Sequence, residues 1–243
     1  MKIYKKGDET SYTLGVFPTI ELLKTISQDV LRVVVHSSIE QNKGYPLIQE
    51  LCQQHHIPID IHDKTIDKLS PKNNCYAIGI FKKYHSDIVE GNHVVLVNPM
   101  DMGNMGTIMR TMLGFHYQNL IIVKPAVDVF DPKVIRASMG AIFHLNIQYY
   151  DDFETYYYQY QHHEFYPLML KGAKNIHKVS TKHTHSLVFG NESSGLPDEY
   201  LEYGQSVFIP HSEDIDSLNL SMALGLTLFH FSKNQFIEKE VLR

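Results

Sequence analysis

The stretch LVFGNESSGLPDEY (187–200) narrows the fold most, because it joins a short apolar strand to a loop bounded by glycines. Open parallel sheets place their ligands at the carboxyl ends of their strands, which is where this loop begins. The loop holds Asn191 and the carboxylate of Glu192 in a tight turn. An isolated loop glutamate is usually only solvated, but this position predicts a ligand-binding loop.

Two familiar loop types do not match these residues. Gly190 and Gly195 have the spacing of a phosphate-binding P-loop, but Leu196 and Pro197 stand where that loop needs Lys and Ser or Thr. The G-x-S-x-G pattern of a nucleophile elbow is absent around Ser193. The sequence therefore disfavours ATP binding and nucleophilic serine chemistry.

A second loop, NPMDMGNMGTIMRTMLGF (98–115), also follows a predicted strand and opens into a helix. Asn104, Gly106 and Arg110 form the pattern N-x-G-x-x-x-R. Glycine lets the backbone turn tightly and approach a ligand closely, and Arg110 falls one helical turn past Gly106. Taken alone, the pattern would also fit an ordinary strand-to-helix turn.

A Rossmann-type fold would require different residues in this second loop. It needs G-x-G-x-x-G there and an acid at the end of the next strand, which holds ribose hydroxyls. Gly103 and Gly106 do not have that spacing, and the next strand ends in Lys124 and Pro125. The Rossmann interpretation therefore loses its main support.

The third loop, FIPHSEDIDSLNLSMALGL (208–226), joins a strand end to the last helix. Ser217 is a candidate cap, and we expect the helix to start near it. Asn219 and Ser221 stand among apolar residues, where polar side chains must find partners. The helix is apolar nearly all round, which indicates burial against the sheet and leaves room for a second subunit.

Short apolar segments alternate with helical ones around these loops, which predicts a parallel sheet covered on both faces. The strand candidates are VVLV (94–97), NLIIV (119–123), LNIQYY (145–150), YPLML (166–170), SLVFG (186–190) and SVFIP (206–210). Earlier segments predict a smaller α/β unit: VLRVVVHS (30–37), GYPLIQELCQQHH (44–56), IPIDIHD (57–63) and CYAIGIFK (75–82). The polar stretch 83–92 is typical of a linker, so we predict domains at 1–88 and 89–243.

Composition limits the partners of the chain. A net charge of −5 argues against holding nucleic acid by bulk electrostatics. No apolar run approaches the roughly 20 residues that cross a bilayer, and no signal peptide is evident, so we expect a cytoplasmic protein without a membrane partner. Cys52 and Cys75 lack CxxC spacing, which indicates free thiols in a reducing compartment.

One segment is locally basic. No acid occurs between Glu164 and Glu192, although the interval holds Lys171, Lys174, Lys178, Lys182, His177, His183 and His185. A solvated surface is the simpler interpretation. A phosphate-contacting surface becomes credible if a site lies beside it.

The segment 149–166 contains seven tyrosines, which could stack on the bases of a single strand. A helix that covers the sheet, capped by Asp151 or Asp152, is the favoured interpretation. Two histidine pairs, at 55–56 and 162–163, lack the further ligands that a metal ion would need. We therefore expect no metal site.

Together, the three loops resemble the motifs of the SpoU (TrmH-type) family of the SPOUT superfamily. N-x-G-x-x-x-R at 104–110, G-N-E-S-S-G-L at 190–196 and S-L-N-L-S-M-A at 217–223 occur in the family's order and approximate spacing. The stretch RASMGAIFHL (136–145) is similar to the family's segment between the first two motifs. The resemblance spans about residues 92–233.

Residues 12–82 are more loosely similar to the small ribosomal-protein-like substrate-binding domain that many family members carry. Cys75, Tyr76 and Ala77 stand where such domains usually have His-Gln-Gly. In the second motif, the Ser193-Ser194 pair replaces a common glycine-containing pair. The first difference bears on the RNA target and the second on loop geometry.

The resemblance implies an α/β chain in which a knotted (trefoil) parallel-sheet SPOUT methyltransferase domain follows a small α/β substrate-binding domain. It also implies a homodimer and S-adenosylmethionine as cofactor, held by backbone groups that here would belong to Gly190, Ile209 and Leu218. Functional side chains are implied at two groups of positions. Asn104, Arg110 and Glu192 would serve catalysis, and Ser217, Asn219 and Ser221 would serve cofactor binding.

The implied reaction is methylation of a ribose 2′-hydroxyl in RNA. Arg110 would clamp phosphate or ribose and stabilise the developing alkoxide, because a neutral guanidine is costly. Glu192 or solvent would take the proton, and both alternatives stay open. The extra N-terminal domain favours rRNA over tRNA. The rival hypotheses are an RNA-binding, ribosome-associated protein with a vestigial site and a base-methylating SPOUT enzyme.

Overall fold

The chain is described by a computed structural model that covers residues 2–70 and 74–236. The strands are β1 (Thr10–Tyr12), β2 (Val30–Val35), β3 (Ile59–Ile61), β4 (Ala77–Lys82), β5 (His93–Val97), β6 (Asn119–Val123), β7 (Asn146–Tyr150), β8 (Glu164–Pro167), β9 (Lys174–Asn175), β10 (His185–Phe189) and β11 (Val207–Phe208). The α-helices are α1 (Val16–Thr25), α2 (Tyr45–Gln54), α3 (Asp63–Leu69), α4 (Met102–Gly114), α5 (Pro132–Ala137), α6 (Phe153–Gln159) and α7 (Leu220–Ser232). Within the residues described, no helix has the length and apolarity that a membrane span requires.

The described residues form two compact units, and neither is continuous in sequence. Unit 1 consists of residues 2–70, 74–85, 105–110 and 128–145. Unit 2 consists of residues 86–104, 111–127 and 146–236. Along the sequence, unit 1 first gives way to unit 2 between residues 85 and 86, which lie inside the predicted linker at 83–92. The division into continuous domains at 1–88 and 89–243 stays a prediction.

Unit 1 contains a four-stranded sheet in the order β1-β4-β2-β3, in which only β2 and β3 run parallel. Strand side chains alternate between the two faces of a sheet, so Val33 and Val35 pack with Ile48 of α2, whereas Val34 packs with Ile66 of α3. This arrangement is the small α/β unit that the alternating segments predict.

The two cysteines lie in the core of unit 1. Both Cys52 and Cys75 are free, as predicted, and both are buried. Burial raises the pKa of the Cys52 thiol to about 11, because the charged thiolate is poorly solvated there. The thiol is therefore an apolar core group rather than a reactive one.

Unit 2 contains a five-stranded, fully parallel sheet in the order β7-β6-β5-β10-β8. Every residue of β5, β6 and β10 is buried, whereas most of the edge strand β7 is only partly buried. Continuous apolar runs are typical of strands that are covered on both faces. The predicted α/β architecture with a parallel-sheet core is confirmed, and the trefoil knot stays a prediction.

Two predicted strands differ from the observed ones. The segment 166–170 was expected to be a strand, but β8 ends at Pro167 and the apolar residues after it line a cavity. The segment 206–210 contributes only β11, which pairs with β9 in a separate two-stranded sheet. An apolar run does not reveal whether its residues are covered by protein or by a ligand site, and both errors have this cause.

The cap of α7 was assigned to the wrong residue. Asn219, not Ser217, caps the helix, because its Oδ1 accepts the backbone N–H of Ser221 at 3.0 Å and of Met222 at 3.3 Å. Ser217 lies in the exposed loop before it. Serine and asparagine are equally good caps, so residue type alone could not locate the first turn.

The tyrosine-rich segment forms α6, which covers the sheet. Asp152 caps this helix by accepting the Thr155 N–H at 2.7 Å, which agrees with one of the two caps predicted. Tyr156 is fully buried, whereas Tyr158 is 65% exposed. The helix therefore serves mainly as packing.

A buried polar network closes the amino end of the sheet in unit 2. The Tyr156 hydroxyl lies 2.8 Å from His93 Nδ1 and 2.6 Å from Ser186 Oγ, and Ser186 Oγ lies 2.9 Å from His163 Nδ1. Burial, reinforced by neighbouring imidazoles, lowers the pKa of His93 to about 3 and that of His163 to about 4. These rings are therefore neutral in the folded protein at neutral pH.

Candidate functional site

A cavity of about 460 Å³ opens at the carboxyl end of β10 in unit 2. Its lining residues fall in four segments, 168–171, 189–198, 207–211 and 216–223. The first two segments follow parallel strands of the sheet, as ligand sites of α/β folds commonly do. The volume lies within the range of about 300–1,000 Å³ that is typical of small-molecule sites.

Gly190 makes one wall of the cavity from main chain. A Cβ at Gly190 would lie 2.2 Å from the Gly195 carbonyl carbon and 2.4 Å from the Leu196 nitrogen. Gly195 has a left-handed backbone with φ of 66°, and its N–H donates to the Asn191 carbonyl at 2.9 Å. The loop can close only because both positions are glycine.

Glu192 joins the second motif loop to the start of α4. Its Oε2 accepts the Met100 N–H at 3.2 Å, and its Oε1 accepts the Asp101 N–H at 3.1 Å. The neighbouring Asn191 Nδ2 donates to the Asn98 carbonyl at 2.8 Å. The carboxylate therefore ties the second motif loop to the backbone just before α4.

A second set of hydrogen bonds joins the first and third motifs. Asn219 Nδ2 donates to Asn104 Oδ1 at 3.1 Å, while Asn219 Oδ1 accepts the Ser221 hydroxyl at 2.7 Å. Asp101 caps α4 by accepting the Asn104 N–H at 2.7 Å. Asn219 and Ser221, which stand among apolar residues in the sequence, thus have the hydrogen-bond partners that we expected them to need.

Arg110 is not part of either set. It lies on the exposed face of α4, and among the described residues its guanidinium has no hydrogen bond or ion pair. Six positions separate Arg110 from Asn104, so their side chains leave the helix in directions about 120° apart. The two motif residues therefore face different surroundings.

Gly106 serves packing within unit 1. A Cβ at this position would lie 2.3 Å from Ala137 Cβ and 2.8 Å from the Ser138 nitrogen. The glycine of the first motif thus lets α4 approach the backbone of the segment 136–145. The sequence suggested a close approach to a ligand, but the close neighbour is the chain itself.

The structure sorts the predicted site residues into three groups. Five line the cavity, namely Gly190, Glu192, Ile209, Ser217 and Leu218. Three belong to the hydrogen-bonded set described above, namely Asn104, Asn219 and Ser221. Arg110 stands apart from both.

Several residues that line the cavity are not among those predicted from the sequence. Leu168, Met169, Leu170 and Lys171 line the cavity directly after β8, and His211 lines it after β11. The first four could have been found, because they follow a parallel strand next to β10 and therefore reach the same sheet edge. No comparable signal marked His211.

The charged groups around the cavity are mostly acidic. Glu192, Asp198 and Asp216 line it, and Lys171 forms an ion pair with Asp198. The remaining surplus of carboxylates favours a ligand that carries positive charge. The site thus combines an apolar pocket, a main-chain wall and an acidic edge.

Comparison with known proteins supports the resemblance of the motifs. The model of the SpoU rRNA Methylase family matches residues 91–229. A putative tRNA (cytidine(34)-2′-O)-methyltransferase from Listeria innocua is 29% identical over 150 residues, which are 59% of this chain and 88% of that protein. A 23S rRNA (guanosine(2553)-2′-O)-methyltransferase from Bacillus subtilis is 23% identical over 145 residues, which are 56% of each chain.

A solved structure shows the same fold. The rRNA methyltransferase from Sinorhizobium meliloti, determined with AdoMet bound, matches 95% of this chain and 89% of its own, with a TM-score of 0.79 and 21% identity. The family match covers more than half of the sequence and contains all three motifs. The chain therefore belongs to the SpoU rRNA Methylase family.

Proposed function

We propose that this protein is an S-adenosylmethionine-dependent RNA methyltransferase that acts on a ribose 2′-hydroxyl. The observation that carries the proposal is the convergence of the second and third motif loops on one cavity at the carboxyl end of a parallel sheet. The family membership supplies the reaction class. The free, buried Cys52 and Cys75 suit the reducing cytoplasm as its compartment.

The cavity fits the cofactor in size and charge. Its apolar side chains suit an adenine ring, and its surplus carboxylates suit a cationic ligand. Gly190, Ile209 and Leu218, which line the cavity, would hold the cofactor through backbone groups. When bound, S-adenosylmethionine supplies a methyl group attached to a positively charged sulfur.

Glu192 acts as a positioning residue in this proposal. Both of its carboxylate oxygens accept backbone N–H groups, so taking up a proton would remove the charge that strengthens the link between two site loops. Solvent then remains as the acceptor of the hydroxyl proton. Ser221 supports the start of α7 by donating its hydroxyl to Asn219. Ser217, which lines the cavity, would contact the cofactor.

Arg110 holds the substrate. Its exposed guanidinium presents a planar fork of donors, which matches the oxygens of a phosphate. The charge stabilises the alkoxide that develops as the hydroxyl loses its proton. Accurate positioning of substrate and methyl donor supplies much of the acceleration in such a displacement.

We propose rRNA rather than tRNA as the substrate. Unit 1 has its own sheet and core, and an additional unit of this kind suits a large RNA. The named relatives include enzymes of both substrate classes. Mapping 2′-O-methyl groups in total RNA from a deletion strain and its parent tests this point, and a site lost from tRNA alone would overturn it.

We also propose a homodimer. Met222, Leu226 and Phe229 follow the helical spacing i, i+4, i+7 on α7 and are 58%, 43% and 64% exposed. An apolar stripe of this kind marks an interaction surface, and a second copy of the chain would cover it. Light scattering should give twice the chain mass of 28.0 kDa, and a monomer at micromolar concentration would contradict the proposal.

The central test is calorimetric. S-adenosylmethionine and its demethylated product should each bind the purified protein without RNA, because the cavity is formed by the chain alone. ATP and NAD should give no heat. If a folded protein gave no heat with either methyl-donor ligand, the proposed function would fail.

A further inference from the structure

A basic face stands out on unit 2, which is otherwise acidic. The described part of unit 2 carries 14 Asp and Glu residues, but only six Lys and no Arg. Four of these lysines lie within residues 171–182, and no acid occurs between Glu164 and Glu192. A polyanion that approaches unit 2 is therefore repelled over most of the surface and attracted at this segment.

The segment has a fixed backbone. Lys174 in β9 pairs with Val207 in β11. Ile176 and Val179 are only 3% and 5% exposed, and His230 Nε2 lies 2.8 Å from the Val179 carbonyl oxygen. Because these apolar anchors point inward, the lysines between and beside them remain exposed.

Carboxylates border the segment at its two ends. Asp198 forms an ion pair with Lys171, and Glu164 lies 4.0 Å from His183. Glu164 also accepts the Tyr166 hydroxyl at 2.7 Å. Asp198 and Glu164 therefore pair with residues at the two ends of the segment, and its middle, from Lys174 to Lys182, contains no acidic residue.

The other lysines have no such neighbour. Among the described residues, no carboxylate lies within ion-pairing distance of Lys174, Lys178 or Lys182. All three are exposed. Three like charges within nine residues repel one another, and a row of phosphates would relieve that repulsion.

We propose that Lys174, Lys178 and Lys182 form a phosphate-binding face that holds the RNA backbone beside the methylated nucleotide. This inference rests on the proposed function. The face adjoins the cavity, because β9 pairs with β11 and both residues of β11 line the cavity wall. Phosphate contacts of this kind position RNA without reading its sequence.

The test measures the salt dependence of RNA binding. The probe is a labelled hairpin RNA of arbitrary sequence, and the variant is Lys174→Gln/Lys178→Gln. The matched control is Lys124→Gln/Lys233→Gln, which removes the same charge from the other two lysines of the described part of unit 2. S-adenosylmethionine binding by calorimetry checks the fold of each protein.

Two lost phosphate contacts should reduce the slope of log Kd against log salt by roughly 1.4–1.8, and should weaken binding by roughly tenfold per contact at 0.1 M salt. The control should keep the slope of the unaltered protein. Equal slopes in the two variants, with cofactor binding intact, would overturn the phosphate face and leave the proposed function standing. Absence of cofactor binding in the unaltered protein would instead overturn the proposed function.

Discussion

The two ends of the parallel sheet in unit 2 are built in opposite ways. At the amino end, His93, Tyr156, Ser186 and His163 bond to one another in a buried network. At the carboxyl end, loops expose glycine backbone and polar side chains around a cavity. The same buried strands support both ends, so the strands alone do not decide which end carries function.

The difference lies in whether the hydrogen-bonded groups are enclosed by the protein or border a cavity. The described part of the chain has no buried side-chain nitrogen or oxygen without a hydrogen-bond partner, and the amino-end network is one reason for this. A closed network stabilises a fold but offers little to a ligand. At the carboxyl end Glu192 is hydrogen-bonded as well, but it lines a cavity that a ligand can enter.

The largest change in reaction rate should come from substitution of Arg110, because this exposed side chain can be removed without disturbing the fold. Arg110→Ala should lower the single-turnover rate of methyl transfer by roughly 10³-fold, because the developing alkoxide would lose the stabilising charge that we propose for Arg110. Cofactor affinity should stay nearly unchanged, and Arg110→Lys should recover little because a point charge lacks the planar fork. Single-turnover rates compared with cofactor dissociation constants test this. Unaltered turnover of Arg110→Ala on an established RNA would disprove the role.

The amino end should make stability depend on pH. The pKa of His93 is held at about 3 and that of His163 at about 4, while an unfolded chain takes up protons below about 6.5. Stability should therefore fall as the pH drops from about 6.5 towards 4, by about 2 kcal/mol per histidine at pH 5. Urea unfolding at pH 7, 6 and 5 measures this. His163→Gln should flatten the dependence, and an unchanged pH profile in that variant would contradict the assignment.

Breaking the closed network should cost stability without touching the chemistry. Tyr156→Phe leaves His93 Nδ1 and Ser186 Oγ each short of a partner, at a cost of roughly 1–3 kcal/mol. Tyr158→Phe is the matched control, because Tyr158 is 65% exposed. Denaturant midpoints compare the two. Turnover per folded molecule should stay constant, and a selective loss of turnover would show that the amino end takes part in function.

The smallest effect should come from Asn219, which serves both folding and the site. Asn219→Ala removes the cap of α7 and the bond to Asn104, so it should destabilise by about 1 kcal/mol and weaken cofactor binding. Asn219→Asp keeps the capping acceptor but loses the donor to Asn104. Calorimetry on both variants separates the two roles. If Asn219→Asp bound cofactor as tightly as the unaltered protein, the bond to Asn104 would be irrelevant to the site.

The sequence predicted those parts of the fold that depend on local pattern. The run NLIIV coincides with β6, since a continuous apolar run of that length suits a central parallel strand. The three motifs, through their characteristic order, predicted Gly190 and Glu192 as site residues, and both line the cavity. Cys52 and Cys75 were predicted to be free from their spacing alone.

What the sequence could not supply were contacts between distant segments. Glu192 accepts N–H groups from residues 91 and 92 positions away, and no local pattern encodes such a pairing. The residues after β8 were taken for strand because apolar character is the same in a core and in a pocket. The space beside Gly106 is filled by Ala137, which only the folded chain reveals.

The main-chain wall at Gly190 has a consequence for inhibitor resistance. A protein commonly escapes a competitive inhibitor by changing one side chain that the compound touches. A compound bound to the backbone at Gly190 and Gly195 touches no side chain there, and any substitution of Gly190 would place a carbon 2.2 Å from the carbonyl carbon of Gly195 in the same loop. Such a variant would lose the pocket for its natural ligand together with the inhibitor, so selection would find few escape routes at this wall.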